Sequence, residues 1–442
     1  MFPKQDLKWR EFTEITKDFF YSKDLACAAI ENGFMIRARK IFPTEFLMTL
    51  IFGFYSKEEP TITTYHRLYR SLVGEDKKVV YSSFYDRFNE NTLKFVDACL
   101  NDLIDKHSYG TNAQLKGYLQ TFKDVLIKDN TIVRVHEFLA DKYPATRKRR
   151  VAAGIKIAVL LSVKCNTPLS VTFHPENTND SKTLKIGSWV KDTLLLMDRG
   201  FFKYDTFAKI DSFGGSYITR LKLNTKAEVL SVSVDIPENI RNKAIGKDFR
   251  ELLELTKPYG HNIDGTVKVS YLKGEQKKKK SSLNLRFIAI YNADTEDYHT
   301  YFTNIPASEL GGSDVAALYA ARWDIENLFR ELKSENLLGR IESKNEYITE
   351  IFIRIPIMRL LITRKLFAAA RNMLEAKMVL RLKKRLWSIV FAENSKRILT
   401  NLMKEKRGRR INEPWFEIWD TIMSGSISGH LMRMTHTSLL YI

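Results

Sequence analysis

The hydrophobic and polar positions of this chain follow three successive rhythms. Up to about residue 115, apolar side chains recur at helical spacing in "WREFTEITKDFFYS", "PTEFLMTLIFGFYS", "TITTYHRLYRSLVG" and "SSFYDRFNENTLKFVDACLNDLIDKH", which predicts a series of short helices. Thr63 or Thr64 and Ser82 or Ser83 stand where N-caps belong, and Gly74 closes a helix before a short turn. From about residue 122 the pattern becomes β-branched. "DVLIKDNTIVRV" (124–135) reads as a strand, and "GIKIAVLLSVKCNTPLSVTFHP" (154–175), broken at Asn166-Thr167-Pro168, reads as strand, turn and strand. "SKTLKIGSWVK" reads as helical, "TLLLMDRGFFKYDTFAKIDSF" as an apolar strand ending at Asp198 and entering a helix, and "SYITRLKL" (216–223) as a further strand. Residues 224–313 alternate with a period of two in "TVKVSYLKG", "LNLRFIAIYNA" and "DYHTYFTNIP", a β-rich insertion with Lys277 to Lys280 in a hairpin turn. Beyond Gly311-Gly312 the helical rhythm returns and continues to the end.

Strands alternating with helices, led by a hairpin, predict an α/β core on a mixed sheet. The organisation that follows is a helical N-terminal region (1–115), a core in two parts (116–223 and 314–370) split by the insertion (224–313), and a helical C-terminal region (371–442). No repeat or low-complexity linker separates these parts, so they interleave.

Charge changes the picture. With 71 Lys and Arg against 52 Asp and Glu, the 442-residue chain carries +19 at neutral pH, which points to a polyanionic partner. The basic residues are spread along the chain, unlike the amphipathic or juxtamembrane clusters of membrane-surface proteins. The most apolar long stretch, 347–370, is interrupted by Glu350, Arg354, Pro356, Arg359 and Arg364, so it predicts a buried helix pair and no membrane span. Cys27, Cys99 and Cys165 lack metal or disulfide spacing. With no signal-peptide segment at the N-terminus, a cytoplasmic location is expected. No Ser/His/Asp set, H-E-x-x-H motif or glycine-rich phosphate loop is present, so no nucleotide cofactor is expected.

The candidate chemistry centres on "YAARWDIENLFRELKSENLLGR" (319–340). On one continuous helix, with Tyr319 at zero, Arg322, Glu326 and Lys333 fall at about 300°, 340° and 320°, and Arg330 at about 20°. This narrow polar stripe is flanked by Leu318, Ile325, Leu328, Phe329 and Leu332. Helix geometry alone leaves two readings, a solvated salt-bridge face or a functional one. Two aspartates favour the second. Asp129 lies inside an apolar strand and Asp198 ends another, and a carboxylate there is costly unless paired or bound to a metal. With one glutamate from a later helix they make an oxygen-only set suited to Mg2+.

Asp129 in "KDNT", Asp198 in "DRGFF", and the spacing Tyr319, two residues, Arg322, three residues, Glu326, six residues, Lys333 together resemble the DDE transposases of the insertion sequence four family, over residues from about 60 to about 370. The resemblance implies a ribonuclease-H-like catalytic core in which Asp129, Asp198 and Glu326 are both catalytic acids and ligands of two Mg2+ ions, with Mn2+ as a substitute. It further implies cut-and-paste transposition, in which element ends are cleaved and the 3′-hydroxyl is joined to target DNA, by a homodimer on paired ends in a prokaryotic, nucleoid-associated setting. A nuclease of this fold that does not join strands, and an inactive transposase-derived DNA-binding protein, are the alternatives. Tyr319, Arg322, Arg330 and Lys333 are expected at DNA. Trp323 is either buried or stacked on DNA, and Tyr298 and His299, on the last insertion strand, stand where some family members hold a flipped base with an aromatic residue. Tyr85, Arg87 and Asn89 open a helix that serves either a helix-turn-helix reader or a plain bundle. The basic runs Arg147 to Arg150, Lys277 to Lys280, 381–387 and 404–410 are either backbone contacts or solvated faces.

Overall fold

Two adjacent apolar strands organise the molecule by sending alternate side chains to opposite faces of one sheet. In β1 (Asp124–Arg134) and β4 (Thr193–Met197), Val125, Ile127, Leu194 and Leu196 enter one core, while Leu126, Leu195 and Met197 enter the other. Burial on both faces explains why these strands read as near-continuous apolar runs. The structure is a computed structural model that describes residues 8–36, 40–53, 61–74, 79–108, 117–147, 152–222, 224–233, 235–273, 279–336, 338–339, 341–374, 381–411 and 413–428. Lys148 to Arg150, Lys277 and Lys278 therefore lie outside the described residues, while Lys279 and Lys280 open a strand.

β2 (Gly154–Ser162) and β3 (Thr167–Pro175) form the expected hairpin, turning at Asn166 with φ 53°, and β5 (Ser216–Arg220) follows β4 through α7 (Tyr204–Ser212). The order β3-β2-β1-β4-β5, with β1, β4 and β5 parallel and the hairpin antiparallel, is the ribonuclease-H-like core that the resemblance implied. The region expected as a β-rich insertion adds β6 (Glu228–Val232), β7 (Ile263–Lys273), β8 (Lys279–Asn292) and β9 (Asp297–Thr303). β9 pairs antiparallel with β5, so these strands continue the core sheet to nine. The insertion also contains α8 (Glu238–Ala244) and α9 (Phe249–Thr256), which pack Ile240, Phe249 and Leu252 on the same face as α7. "SKTLKIGSWVK" is not a helix: it holds only 3-10 turns at Asp180–Thr183 and Ser188–Val190.

The other face carries the remaining helices. The N-terminal ones are α1 (Lys8–Tyr21), α2 (Lys23–Glu31), α3 (Pro43–Phe52), α4 (Ile62–Val73), α5 (Tyr81–Tyr85) and α6 (Glu90–Ser108). The cap of α4 is Thr61, whose hydroxyl accepts from the Thr64 N–H at 3.1 Å, and Gly74 ends the helix at φ 101°. Val80 precedes α5, with no side-chain cap. In the α5–α6 turn, Arg87 donates to the Phe34 carbonyl at 2.9 Å and so ties the turn to the segment after α2, while the Asn89 side chain caps the start of α6 by accepting from the Thr92 N–H at 3.1 Å.

Residues 347–370 form one helix, where a pair was expected: α12 (Glu346–Asn372), with Pro356 inside it. It is buried along nearly its whole length, and three arginines fix it to three partners. Arg354 bonds Asp97 of α6, Arg359 donates to the Ile51 carbonyl of α3 at 2.6 Å, and Arg364 pairs with Glu331 at 2.9 Å. α13 (Lys384–Lys406) and α14 (Trp415–Ser426) complete the bundle, with Trp387 of α13 donating to the Thr363 carbonyl at 3.1 Å. Among the described residues, no helix is long and apolar enough to cross a membrane.

Glu331 is almost fully buried, and the Ser388 hydroxyl donates to it at 2.5 Å. Burial pushes its pKa up, but Arg364, Lys384 and Ser388 outweigh that and hold it below its ordinary value of 4.5. A folded pKa below the unfolded one gives stability that is present above the unfolded value and lost as pH falls through the folded one. Arg364→Leu strands the carboxylate. It is expected to destabilise by about 3–5 kcal/mol, seen as a lower urea midpoint at neutral pH, and to flatten the acid limb of the wild-type stability profile below about pH 4.5.

Candidate active site

The parallel register of β1 and β4 pairs Asp124 with Thr193 and runs to Lys128 with Met197. The next residue on each strand is Asp129 and Asp198. Alternation places Asp129 on the face of Val125 and Ile127, and Asp198 on the face of Leu194 and Leu196. Both aspartates thus emerge side by side toward the helical layer.

The segment facing them is not the single helix expected. α10 (Gly312–Ala320) and α11 (Trp323–Ser334) are separated by a tightened turn, with three-residue bonds from Ala321 N to Leu318 O (2.9 Å) and from Arg322 N to Tyr319 O (3.1 Å). The helical-wheel angles therefore hold within α11 and not across the break. Ile325, Leu328 and Leu332 bury the inner side of α11 against the sheet, and its polar edge reaches the aspartates.

Arg322 joins the acids. Its Nη1 is 3.4 Å from Asp129 Oδ2 and its Nη2 is 2.5 Å from Glu326 Oε1, while its Nε has no hydrogen-bond partner among the described residues. The backbone N–H of Asn130 donates to Asp129 Oδ1 at 2.7 Å. Burial pushes Asp129 up to about 6 against the pull of Asn130 and Arg322, and the charges of Asp198 and Glu326 push it further in the same direction. Asp198 and Glu326 are thus close enough to oppose the ionisation of Asp129.

Tyr319 is buried, contrary to a surface role at DNA. Its hydroxyl donates to the Met197 carbonyl at 3.4 Å, its ring packs on Tyr301 at 5.3 Å, and Arg322 lies 5.8 Å from its centre, so Tyr319 positions Arg322 and the end of β4. Trp323 is 57% exposed, which removes the buried alternative. Arg330 and Lys333 are exposed along α11, and partial burial together with the Arg134 charge lowers the pKa of Lys333. Tyr298 and His299 point back into the fold. Tyr298 donates to the His261 carbonyl at 2.9 Å, and the two ring nitrogens of His299 meet Arg220 and Asn292. Sequence reasoning missed Asn130, Lys156 and Asp180, which surround the back of β1. Asp180 falls in a polar turn, "NTNDSKT", that carries no periodic signal.

Among the described residues, no three acidic, histidine or cysteine side chains are placed to share one ion, and the Arg322 guanidinium bridges Asp129 and Glu326. The donor chemistry nonetheless fits a hard divalent cation: Asp129, Asp198 and Glu326 offer oxygen ligands only, and burial together with the two acidic neighbours makes Asp129 reluctant to ionise. A cation held by these carboxylates would supply positive charge beside Asp129, as Arg322 does here.

A mixed sheet of ribonuclease-H-like order with two strand-borne aspartates and a helix-borne glutamate defines a phosphoryl-transfer core of the DDE class. The chain matches the family described as "Transposase DDE domain" over residues 120–353, just over half its length, and belongs to that family. It is similar to the "Transposase for insertion sequence element IS1151" of Clostridium perfringens, 22% identical over 74% of each chain. It is also similar to the "Transposase for insertion sequence element IS231F" of Bacillus thuringiensis subsp. israelensis (27% identical) and the IS231E transposase of subsp. finitimus (25% identical), each covering 56% of this chain and 57% of the relative. Thus the chain spans about three quarters of the first relative and little more than half of the other two. Among solved structures, "Cryo-EM structure of piggyBac transposase synaptic complex with hairpin DNA" covers 97% of this chain and 88% of its own, at 10% identity and a TM-score of 0.46.

The folded pKa of Asp129, about 6, lies above its ordinary value of 3.8. Ionising it therefore costs the folded state stability as pH rises between these values, and the cost persists above them. In metal-free buffer, Asp129→Asn is expected to raise the melting temperature at pH 7.5 by a few degrees, on the order of 1–3 kcal/mol. The gain should shrink through pH 6 and vanish below about pH 4. Thermal melts across this range check it.

Proposed function

We propose that this protein is a cut-and-paste DNA transposase that cleaves the ends of a mobile element and joins the freed 3′-hydroxyl to target DNA. The supporting observation is the placement of Asp129 and Asp198 at neighbouring positions on parallel strands, faced by Glu326, with Arg322 among them. Asp129, Asp198 and Glu326 would hold two Mg2+ ions, with Mn2+ as a substitute. When bound, the ions supply Lewis-acid stabilisation of the attacking and leaving oxygens of an in-line displacement.

The chain's own residues do the rest. Tyr319 and the Asn130 N–H hold Arg322 and Asp129 in place. Arg322, freed from its carboxylates, lies beside the acids where it can pair with a phosphate of the reacting strand. Arg330 and Lys333 continue the positive edge along α11 and fix the neighbouring phosphates. The exposed indole of Trp323 supplies a surface on which a base at the cleavage point can stack. The helical N-terminal region, 1–115, contributes further DNA contacts. A homodimer brings two ends together, no nucleotide cofactor takes part, and the reaction runs in the cytoplasm at the nucleoid.

The test uses a labelled DNA end taken from the sequence flanking the reading frame, incubated with the full chain and Mg2+. Strand-transfer products are expected. Cleavage without joining would reduce the reading to a nuclease, and metal-independent binding without cutting would reduce it to an inactive derivative. Asp129→Ala, Asp198→Ala and Glu326→Ala should each abolish cleavage while retaining DNA binding. Lys333→Ala should weaken binding to all sequences alike and lower the slope of log K against log salt by about one. An unchanged slope would remove Lys333 from the phosphate contacts.

A further inference from the structure

Behind the acids, on the opposite face of β1, a second polar cluster connects the segments that carry them. Asp180, in the 3-10 turn Asp180–Thr183, accepts at Oδ1 from the Asn130 side-chain amide (2.8 Å) and from Lys156 Nζ (2.6 Å). The Thr183 hydroxyl donates to Asn130 Oδ1 at 3.3 Å and to the Asp180 carbonyl at 2.8 Å, and Lys156 donates to the Thr178 carbonyl at 2.5 Å. Lys156 is almost fully buried, and its ammonium is held by the acceptors Asp180 and the Thr178 carbonyl. Asn130 is the hub: its side chain is gripped by Asp180 and Thr183, and its backbone N–H holds the Asp129 carboxylate. The other oxygen of Asp180 faces Gly200, two residues after Asp198. A methyl group at Gly200 would lie 2.6 Å from Asp180 Oδ2. Asp180 could not swing clear without surrendering Asn130 and Lys156.

The geometry points to Asp180 as a positioning residue that locks the Asp129 and Asp198 segments at one separation, through Asn130 on one side and the close approach of Gly200 on the other. This rests on the reading above only in what the lock is for, the presentation of both carboxylates to a divalent ion. The lock itself is a property of the chain. Partners that orient ligating carboxylates typically change metal affinity 10–100-fold when removed, an order-of-magnitude expectation of about that size here.

Two measurements on the full-length protein test it. In metal-free buffer, hydrogen exchange followed by mass spectrometry is expected to accelerate in Asp180→Ala by about ten-fold in both segments, 126–131 and 198–202, and to stay at wild-type rates in β7 and β8. In a Mn2+ titration read by electron paramagnetic resonance, Asp180→Ala should bind about 10–100-fold more weakly than wild type. Asp180→Asn, whose amide oxygen still accepts from Asn130 and Lys156, should recover to within about three-fold, since the acceptor is kept. Gly200→Ala retains the Asp180 carboxylate but displaces it, so it should reproduce both effects, and it carries the test if Asp180→Ala fails to fold. Unchanged exchange in either segment overturns the proposal. So does wild-type Mn2+ affinity in Asp180→Ala, and so does an Asp180→Asn as impaired as the alanine variant, which would make charge rather than the hydrogen-bonded lock responsible. If wild type itself binds no Mn2+, the transposase reading fails and the exchange data alone decide on the lock.

Discussion

The burial of one carboxylate, Asp129, beside two further acids is the constraint on which the site depends. Asp129 is buried, pushed up to about 6, and flanked by two further acids whose charges raise it in the same direction. One guanidinium, Arg322, bridges Asp129 and Glu326 and offsets part of that cost. Residues held in an unfavourable electrostatic state mark functional sites more often than structural ones. The same arrangement explains why a divalent cation suits the site: two positive charges on a small oxygen-seeking ion compensate carboxylates better than one guanidinium spread over three nitrogens.

Such a cluster persists only if the backbone leaves its carriers no alternative. β1 and β4 are buried on both faces, so a slip of one residue would turn every apolar side chain to the wrong core along with its aspartate. α11 is fixed from behind by the buried Glu331–Arg364 pair and by Ser388, which join it to α12 and α13. α12 in turn reaches α6 and α3 through Arg354 and Arg359. The N-terminal helices, the core and the C-terminal helices consequently share one apolar cluster.

Much of this was legible in the residues because the signals were periodic. The strands at 124–135 and 154–175, the strand ending at Asp198 and the alternating insertion follow from side-chain rhythm; Asp129 and Asp198 stood out as carboxylates in apolar strands, and the resemblance to the DDE family joined Glu326 to them. The break between α10 and α11 was not legible: Ala320-Ala321-Arg322 are good helix formers, and the partners on either side of it, the Met197 carbonyl for Tyr319 and Asp129 for Arg322, come from strands distant in the sequence. At 347–370 the interruptions at Glu350, Arg354, Pro356, Arg359 and Arg364 suggested a helix pair, yet one helix runs across them, buried along nearly its whole length. Tyr298 and His299 looked like surface aromatics because alternation cannot say which partners await on a neighbouring strand; Thr256, His261, Arg220 and Asn292 supply them. Asp180 was invisible because turns have no period, and its importance comes from residues distant in sequence.

The most direct test of the account is a crystal structure of the protein with Mn2+, read through the anomalous signal of the ion. The account predicts a peak bounded by carboxylate oxygens of Asp129, Asp198 and Glu326, with the Arg322 guanidinium withdrawn from between Asp129 and Glu326. An anomalous map empty at that position while Arg322 still bridges the two acids, or a peak held by other residues, would contradict it.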